Sequence, residues 1–474
     1  MTLTSEQLDI VYSDNKYVYV SARAGTGKTS TLLEFVKARK FESFLYIVYN
    51  SAIREEALTK FPSNVKIHTI HSLAYEEIGY KYKKKFGSNL KTEDIFYTLP
   101  YFKNKNIENE TDFKEAFYVA AIIGRFCNSA FRSLDEIPHE PHIIKMAKEY
   151  WLRMIDITDL DVKMTYDGYL KLYHLSNPKL KYNYILVDEA QDSNEVMLDI
   201  VYAQDSNFVF VGDEHQRIYS FRGALNIFEE STYFDASSDY VHLSLTKSFR
   251  FGEEIANVAN KLLSTYKNEE NLVVGNEERE SIVGIIDKSI QHTRITRTNA
   301  KLFDLAVRYS EEGKTIYING GIDLIVGQVL DGYYLYKGQK EYIKNETLKK
   351  FKSYKHFKSI AENLKYPEYL FLTKIIDKYG ESLFKKLELI KKHLTGIKTA
   401  DIILSTAHKS KGLEFVSVII EEDFVNLFDK NGMLLPPDRV DPEEINLLYV
   451  AVTRTTHDLE LSKDLENFIN SEVI

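Results

Sequence analysis

The segment Ala22-Arg23-Ala24-Gly25-Thr26-Gly27-Lys28-Thr29 lies between an apolar run at 17–20 and a helix-forming stretch at 29–40. A strand that turns through Gly-x-Gly-Lys-Thr straight into a helix N-terminus makes a cradle for phosphate. Gly25 and Gly27 let backbone N–H groups approach phosphate oxygens, the Lys28 ammonium can neutralise the outer phosphates, and the Thr29 hydroxyl is suited to Mg2+. The strict pattern begins with Gly, where this chain has Ala22. Ala24, Gly25, Thr26, Gly27, Lys28, Thr29 and Ser30 are the expected nucleotide-binding residues. Such a loop calls for a parallel α/β sheet with the ligand at its carboxyl edge.

A second segment, Tyr184-Ile185-Leu186-Val187-Asp188-Glu189-Ala190-Gln191-Asp192, is an apolar run that ends in adjacent carboxylates. Hydrolysis of a γ-phosphate needs a metal-holding acid and a positioned base. Asp188 is the expected partner of Mg2+ and Glu189 the expected base for the attacking water. Other apolar runs, at 44–48 and 208–211, alternate with helical stretches such as 194–203, the signature of βαβ units. From 73 to 164 the strand signal gives way to helical segments, clearest at 113–125 and 142–153. Beyond 249 strand candidates return at 281–286, 293–296, 315–318, 401–405 and 416–420, interrupted by Lys- and Tyr-rich helical sequence.

At 474 residues the chain exceeds what one core organises. Its single cysteine, Cys127, excludes an internal disulfide and a Cys-rich metal centre, so a reducing, intracellular setting is expected. No apolar run has membrane-spanning length, which predicts a soluble protein without a membrane partner. The net charge of -9 argues against a uniformly basic surface, so any nucleic acid must lie in a local groove. Lysines interleaved with aromatics at 81–85 and 344–358 suit phosphates and stacked bases, or else form solvated helix faces with the aromatics turned inward. The Lys/Tyr/Asn-rich, Pro-poor composition would suit a phage or low-GC bacterial genome.

Together these segments resemble superfamily 1A DNA helicases of the UvrD/Rep/PcrA kind, whose signature includes Asp-Glu-x-Gln-Asp. The resemblance runs through ordered motifs from 3 to 462. Leu3-Thr4-Ser5-Glu6-Gln7 resembles the adenine-reading motif, which gives that role to Gln7. Tyr49-Asn50-Ser51-Ala52 and Thr69-Ile70-His71-Ser72 are similar to two strand-contacting segments, implying DNA contacts at Asn50 and His71. Family members often carry Thr-Asn-Lys-Ala in the first of these. The run from Val211 through Gly212-Asp213-Glu214-His215-Gln216 to Tyr219-Ser220-Phe221-Arg222-Gly223-Ala224 resembles a long motif in which Gln216 senses the γ-phosphate, Tyr219 and Phe221 stack on bases and Arg222 meets the strand. Two aromatics two residues apart also fit one buried strand face, the commoner fate of such a pair.

Leu245-Thr246-Lys247-Ser248-Phe249-Arg250 resembles Leu-x-x-Asn-Tyr-Arg, which implies a nucleotide contact for Phe249 and an arginine finger in Arg250. The stretch Ser405-Thr406-Ala407-His408 through Gly412-Leu413-Glu414 implies DNA contacts at Thr406 and His408 and a nucleotide-sugar contact at Glu414. Leu448-Tyr449-Val450-Ala451-Val452-Thr453-Arg454 supplies a second finger, Arg454. Met164-Thr165-Tyr166-Asp167-Gly168-Tyr169 is similar to the F-box DNA helicase branch. The phosphate loop begins so early that no F-box is expected before it, nor a ubiquitin-ligase role.

The implied architecture is α/β: two RecA-like P-loop domains with parallel sheets, each carrying a largely helical insertion. The expected divisions are 1–72 with 165–245, an insertion at 73–164, a second domain at 246–331 with 400–474, and a reduced insertion at 332–399. The implied activity is an ATP- and Mg2+-dependent 3′→5′ translocase or helicase on single-stranded DNA and its junctions with duplex, functional as a monomer, in replication, repair or recombination. The alternatives are an ATP-gated DNA clamp and an RNA-directed motor.

Overall fold

A computed structural model describes residues 3–87, 90–105, 109–220, 223–228, 239–364 and 367–471. The chain divides into two compact units, Met1–Arg23 with Gly27–Leu245, and Ala24–Thr26 with Thr246–Ile474.

The first unit is built on six strands: β1 (Tyr17–Ala22), β2 (Phe44–Ile47), β3 (Val65–His68), β4 (Tyr184–Asp188), β5 (Asn207–Gly212) and β6 (Tyr240–Leu245). Their order is β3-β2-β4-β5-β1-β6 and every pairing is parallel. The inner strands β2, β4 and β5 are buried almost throughout, because helices cover both faces, and this is why they read as continuous apolar runs. The edge strands β3 and β6 mix buried with half-exposed or exposed positions. Val18, Val20, Leu186, Val209 and Val211 of the sheet pack with Leu32, Phe35 and Val36 of the helix Lys28–Ala38.

Between β3 and β4 the described residues form helices at Ile70–Glu77, Thr92–Thr98, Glu110–Asn128, Pro141–Ile155 and Tyr166–Leu175. In Pro141–Ile155 the buried positions Ile143, Ala147, Tyr150, Trp151 and Met154 recur at helical spacing, and Trp151 meets Phe126 edge-on at 5.3 Å. Two lysines are core groups here. Lys85, read from sequence as part of a phosphate-binding or solvated cluster, is buried and its Nζ donates to the carbonyls of Arg153 (3.0 Å) and Asp156 (2.6 Å). Those carbonyls close the end of a helix, where four acceptors lack intrahelical partners and favour a cation. Lys171 likewise donates to the carbonyls of Ser129 and Phe131 and lies 3.2 Å from His174 Nδ1, whose other nitrogen meets Asp199 at 2.6 Å. Burial draws the Lys171 ammonium down to about 8.

The second unit has strands β7 (Ile282–Val283), β8 (His292–Thr296), β9 (Ile316–Ile318), β10 (Ile402–Thr406), β11 (Phe415–Ile420) and β12 (Thr455–Glu460). They are ordered β7-β12-β11-β8-β10-β9, again all parallel. The expected strand at 281–286 shrinks to two residues, because it lies at the sheet edge and Gly284 and the exposed Ile285 have no apolar face to bury. Helices Asp323–Tyr336, Tyr354–Leu364, Pro367–Tyr379 and Leu383–His393 fall between β9 and β10. In the lysine-rich stretch Phe351 and Phe357 are buried, while Lys358 and the Tyr354 hydroxyl engage Asp377 at 2.7 and 2.8 Å. The aromatics there are core and the lysine is paired at the surface. Among the described residues no helix is long and apolar enough to cross a membrane.

Candidate functional site

Strand β1 delivers the chain into the phosphate loop, and Gly25 (φ 77°) and Gly27 (φ 78°) turn it through left-handed backbone that side-chain-bearing residues resist. Lys28 opens the helix, and its Nζ donates to Glu189 Oε1 at 2.9 Å. Burial pulls the Lys28 ammonium down most, yet the carboxylates of Glu189, Asp188 and Asp213 together hold it above its ordinary value.

Asp188 is the last residue of β4 and is buried. Its Oδ1 accepts from the Glu189 N–H (2.9 Å) and its Oδ2 from the Tyr46 hydroxyl (2.6 Å). Burial, then the neighbouring Glu189, raise the Asp188 carboxyl, against the pull of Lys28. Burial and the adjacent Asp188 hold the Tyr46 phenol well above the ordinary range, so at neutral pH it is a donor. The Thr29 hydroxyl and the Asp188 carboxylate are oxygen donors, a set that suits a hard cation such as Mg2+.

Glu189 itself adopts left-handed backbone (φ 50°), which swings it out of the strand line. Such a conformation costs a non-glycine residue about 1 kcal/mol or more and collects at functional sites. Gln191 donates to the other Glu189 oxygen and accepts from the Asp213 N–H at 3.1 Å. Asp213 in turn accepts from Gln216 Nε2 at 2.7 Å and stands 3.8 Å from Arg23. A Cβ at position 212 would lie 2.1 Å from Gln191 Oε1, so only glycine allows strand β5 to pass this close. Lys28, Glu189, Gln191, Asp213 and Gln216 thus form one continuous polar chain along the carboxyl ends of β4 and β5. Gln7 is buried beside the same helix, accepting from Thr4 N and donating to Thr31 Oγ1, both at 3.1 Å. Ser30 is exposed on it.

Next to the acidic pair opens a cleft of about 600 Å3, lined by Tyr49, Asn50, His71, Tyr166, Asp167, Asp188, Glu189 and Tyr219, among others. Tyr219 lies outside any strand, half-buried, with its ring stacked on Tyr49 (5.7 Å, 20°). The reading of Tyr219 as one of two core aromatics on a strand face is therefore set aside, while Phe221 and Arg222 lie outside the described residues. Asn50 Oδ1 caps its helix through Ile53 N at 2.9 Å, and His71 Nε2 meets Asp167 at 3.2 Å.

In the second unit Ala24 and Thr26 are buried, and Gly25 O accepts from Phe249 N at 2.7 Å. A Cβ on Gly25 would collide with Ser248 Oγ and Arg250 Cβ, both at 2.6 Å. Arg250 donates to Glu414 Oε1 and to the Thr453 carbonyl, each at 2.8 Å. Arg454 is buried, donating to Val450 O (3.0 Å) and to Thr453 Oγ1 (3.3 Å). Thr453 therefore gathers both arginines. Thr406 is buried and caps the helix carrying the half-buried His408.

Tyr46 was not singled out by the sequence, in which it is one apolar residue of a strand. Gln191 and Asp213 were quoted only as parts of motifs.

Residues 3–240 match the family profile of the UvrD/REP helicase N-terminal domain, and residues 125–466 that of the UvrD-like helicase C-terminal domain. The chain is 33% identical over 513 residues to F-box DNA helicase 1 of Gallus gallus, covering 98% of this chain and 50% of that protein. It is 34% identical over 509 residues to F-box DNA helicase protein 1 of Schizosaccharomyces pombe (97% and 57%). To the ATP-dependent DNA helicase Rep of Buchnera aphidicola it is 25% identical over 340 residues (61% and 50%). The chain thus spans about half the length of these relatives.

Proposed function

Because the chain belongs to the UvrD/Rep helicase family, we propose that it is an ATP-driven motor that moves 3′→5′ along single-stranded DNA, unwinding duplex or displacing bound proteins. The observation that carries this reading is the Lys28–Glu189 ion pair at the phosphate loop with Asp188 directly beside it. A phosphate cation, a metal-holding acid and a base in one place are what transfer of a phosphoryl group to water requires.

When ATP enters, Lys28 exchanges Glu189 for the β- and γ-phosphates, which frees the Glu189 carboxylate to orient water and take its proton as the bond to ADP breaks. Thr29 and Asp188 would hold a Mg2+ ion, which neutralises charge across the two outer phosphates. Gln7 reads adenine, Phe249 and Glu414 contact the nucleoside, and Gln216 reports the γ-phosphate along the chain through Asp213. Arg250 and Arg454 meet the transition-state charge, an effect worth roughly 10³–10⁵ in rate in related enzymes. Asn50, His71, Tyr219, Phe221, Arg222, Thr406 and His408 hold the strand. That one cleft is lined by Tyr219 and by the acidic pair supports coupling of grip to hydrolysis.

The test is the ATPase rate with and without single-stranded DNA, followed by displacement of streptavidin from either end of an oligonucleotide. Strong stimulation with displacement from the 3′ end alone is expected. DNA binding without either would point to an ATP-gated clamp, and equal stimulation by RNA to an RNA-directed motor. Tyr219→Ala should lose roughly 1–3 kcal/mol of strand affinity, the usual worth of a stacked base. Its displacement rate should fall further than its basal ATPase, as read in the same two assays.

A further inference from the structure

Strand β2 pairs with β4 so that Tyr46 lies opposite Leu186, two residues before Asp188. Side chains two apart on a strand share a face, so the Tyr46 phenol extends along the sheet toward the Asp188 carboxylate. The ring is wholly buried and packed against Phe61, with centroids 4.8 Å apart. Its hydroxyl can therefore take few positions. It donates to Asp188 Oδ2 at 2.6 Å.

Each Asp188 oxygen is held by one donor, Oδ2 by Tyr46 and Oδ1 by the Glu189 N–H, and each keeps a lone pair in reserve. Groups that hydrogen-bond to metal ligands fix their orientation, and their loss typically weakens metal affinity or activity 10–100-fold.

We propose that Tyr46 is a positioning residue for the divalent cation of the nucleotide site, a buried phenol that holds the Asp188 carboxylate in one orientation toward the ion. This inference rests on the assignment of Asp188 as a ligand of the cation. Tyr46 touches neither nucleotide nor ion and acts through that carboxylate.

The experiment compares the native chain with Tyr46→Phe, which keeps the ring and its packing on Phe61. Affinity for a fluorescent, non-hydrolysable ATP analogue is measured in EDTA, and Mn2+ is then titrated onto the nucleotide complex by electron paramagnetic resonance. The expected result is unchanged nucleotide affinity in EDTA and a Mn2+ dissociation constant raised about 10–100-fold. Unchanged Mn2+ affinity would overturn the proposal. So would loss of nucleotide binding in EDTA, which would make Tyr46 a structural residue of the core. If the native chain itself takes up no Mn2+ with the nucleotide, the assignment of the cation site fails and this inference falls with it. That outcome is visible before the variant is examined.

Discussion

Glu189→Gln is expected to bind ATP and single-stranded DNA about as well as the native chain while hydrolysing ATP on the order of 10²–10⁴-fold more slowly, the range ascribed to loss of a general base. The hydrogen bonding at this residue sharpens the expectation. One Glu189 oxygen accepts from Lys28 and the other from Gln191. A glutamine offers a single acceptor oxygen, so one of these two donors must face an NH2 group. If the oxygen stays toward Lys28, the link to Gln191 breaks and with it the direct path to Asp213 and Gln216. The variant should therefore lose its proton acceptor and also part of the polar chain that links the two strand ends. Single-turnover hydrolysis beside equilibrium nucleotide binding separates these effects from a failure to bind. Normal turnover in this variant would remove Glu189 from the role of base.

Lys28→Ala should be as damaging and fail differently. Three carboxylates, Glu189, Asp188 and Asp213, all act on this one ammonium. Its removal leaves them to repel one another and any phosphate that approaches. Nucleotide affinity should fall together with turnover, the latter by at least ~10²–10³-fold, the usual effect of deleting one charge-stabilising donor. Fluorescent-nucleotide titration and steady-state ATPase on the same preparation provide the check. Retained turnover would reduce the ion pair to a structural contact. The two variants thus differ in whether ATP still binds, which assigns binding to Lys28 and chemistry to Glu189.

Much of the frame was legible because its signals are local. Glycines at 25 and 27, a lysine at the helix start and an apolar strand ending in two acids are each complete within a few residues, and the inner strands announce themselves by burial on both faces. What escaped the sequence was non-local or lacked an apolar run. Strand β3 has four residues, one of them the exposed Lys66, and β12 reads Thr-Thr-His-Asp-Leu-Glu, so neither carries an apolar run. Lys85 sits in a basic stretch, and nothing in its neighbours says that carbonyls some 70 residues later will enclose it. Tyr46 is hidden for the same reason. Its phenol becomes informative only when parallel pairing lays β2 beside β4 and brings Asp188, 142 positions away, within 2.6 Å.

The order of strands in the first unit also shapes how such a chain can diverge between lineages. The helical stretch at 69–183 departs from β3, the outermost strand, whereas the phosphate loop, the acidic pair and Asp213 follow β1, β4 and β5, none of which is hydrogen-bonded to β3. Residues gained or lost within that stretch leave the ladder under the hydrolytic groups in register. Descendants can therefore refashion the part that leaves the sheet while inheriting the hydrolytic centre intact.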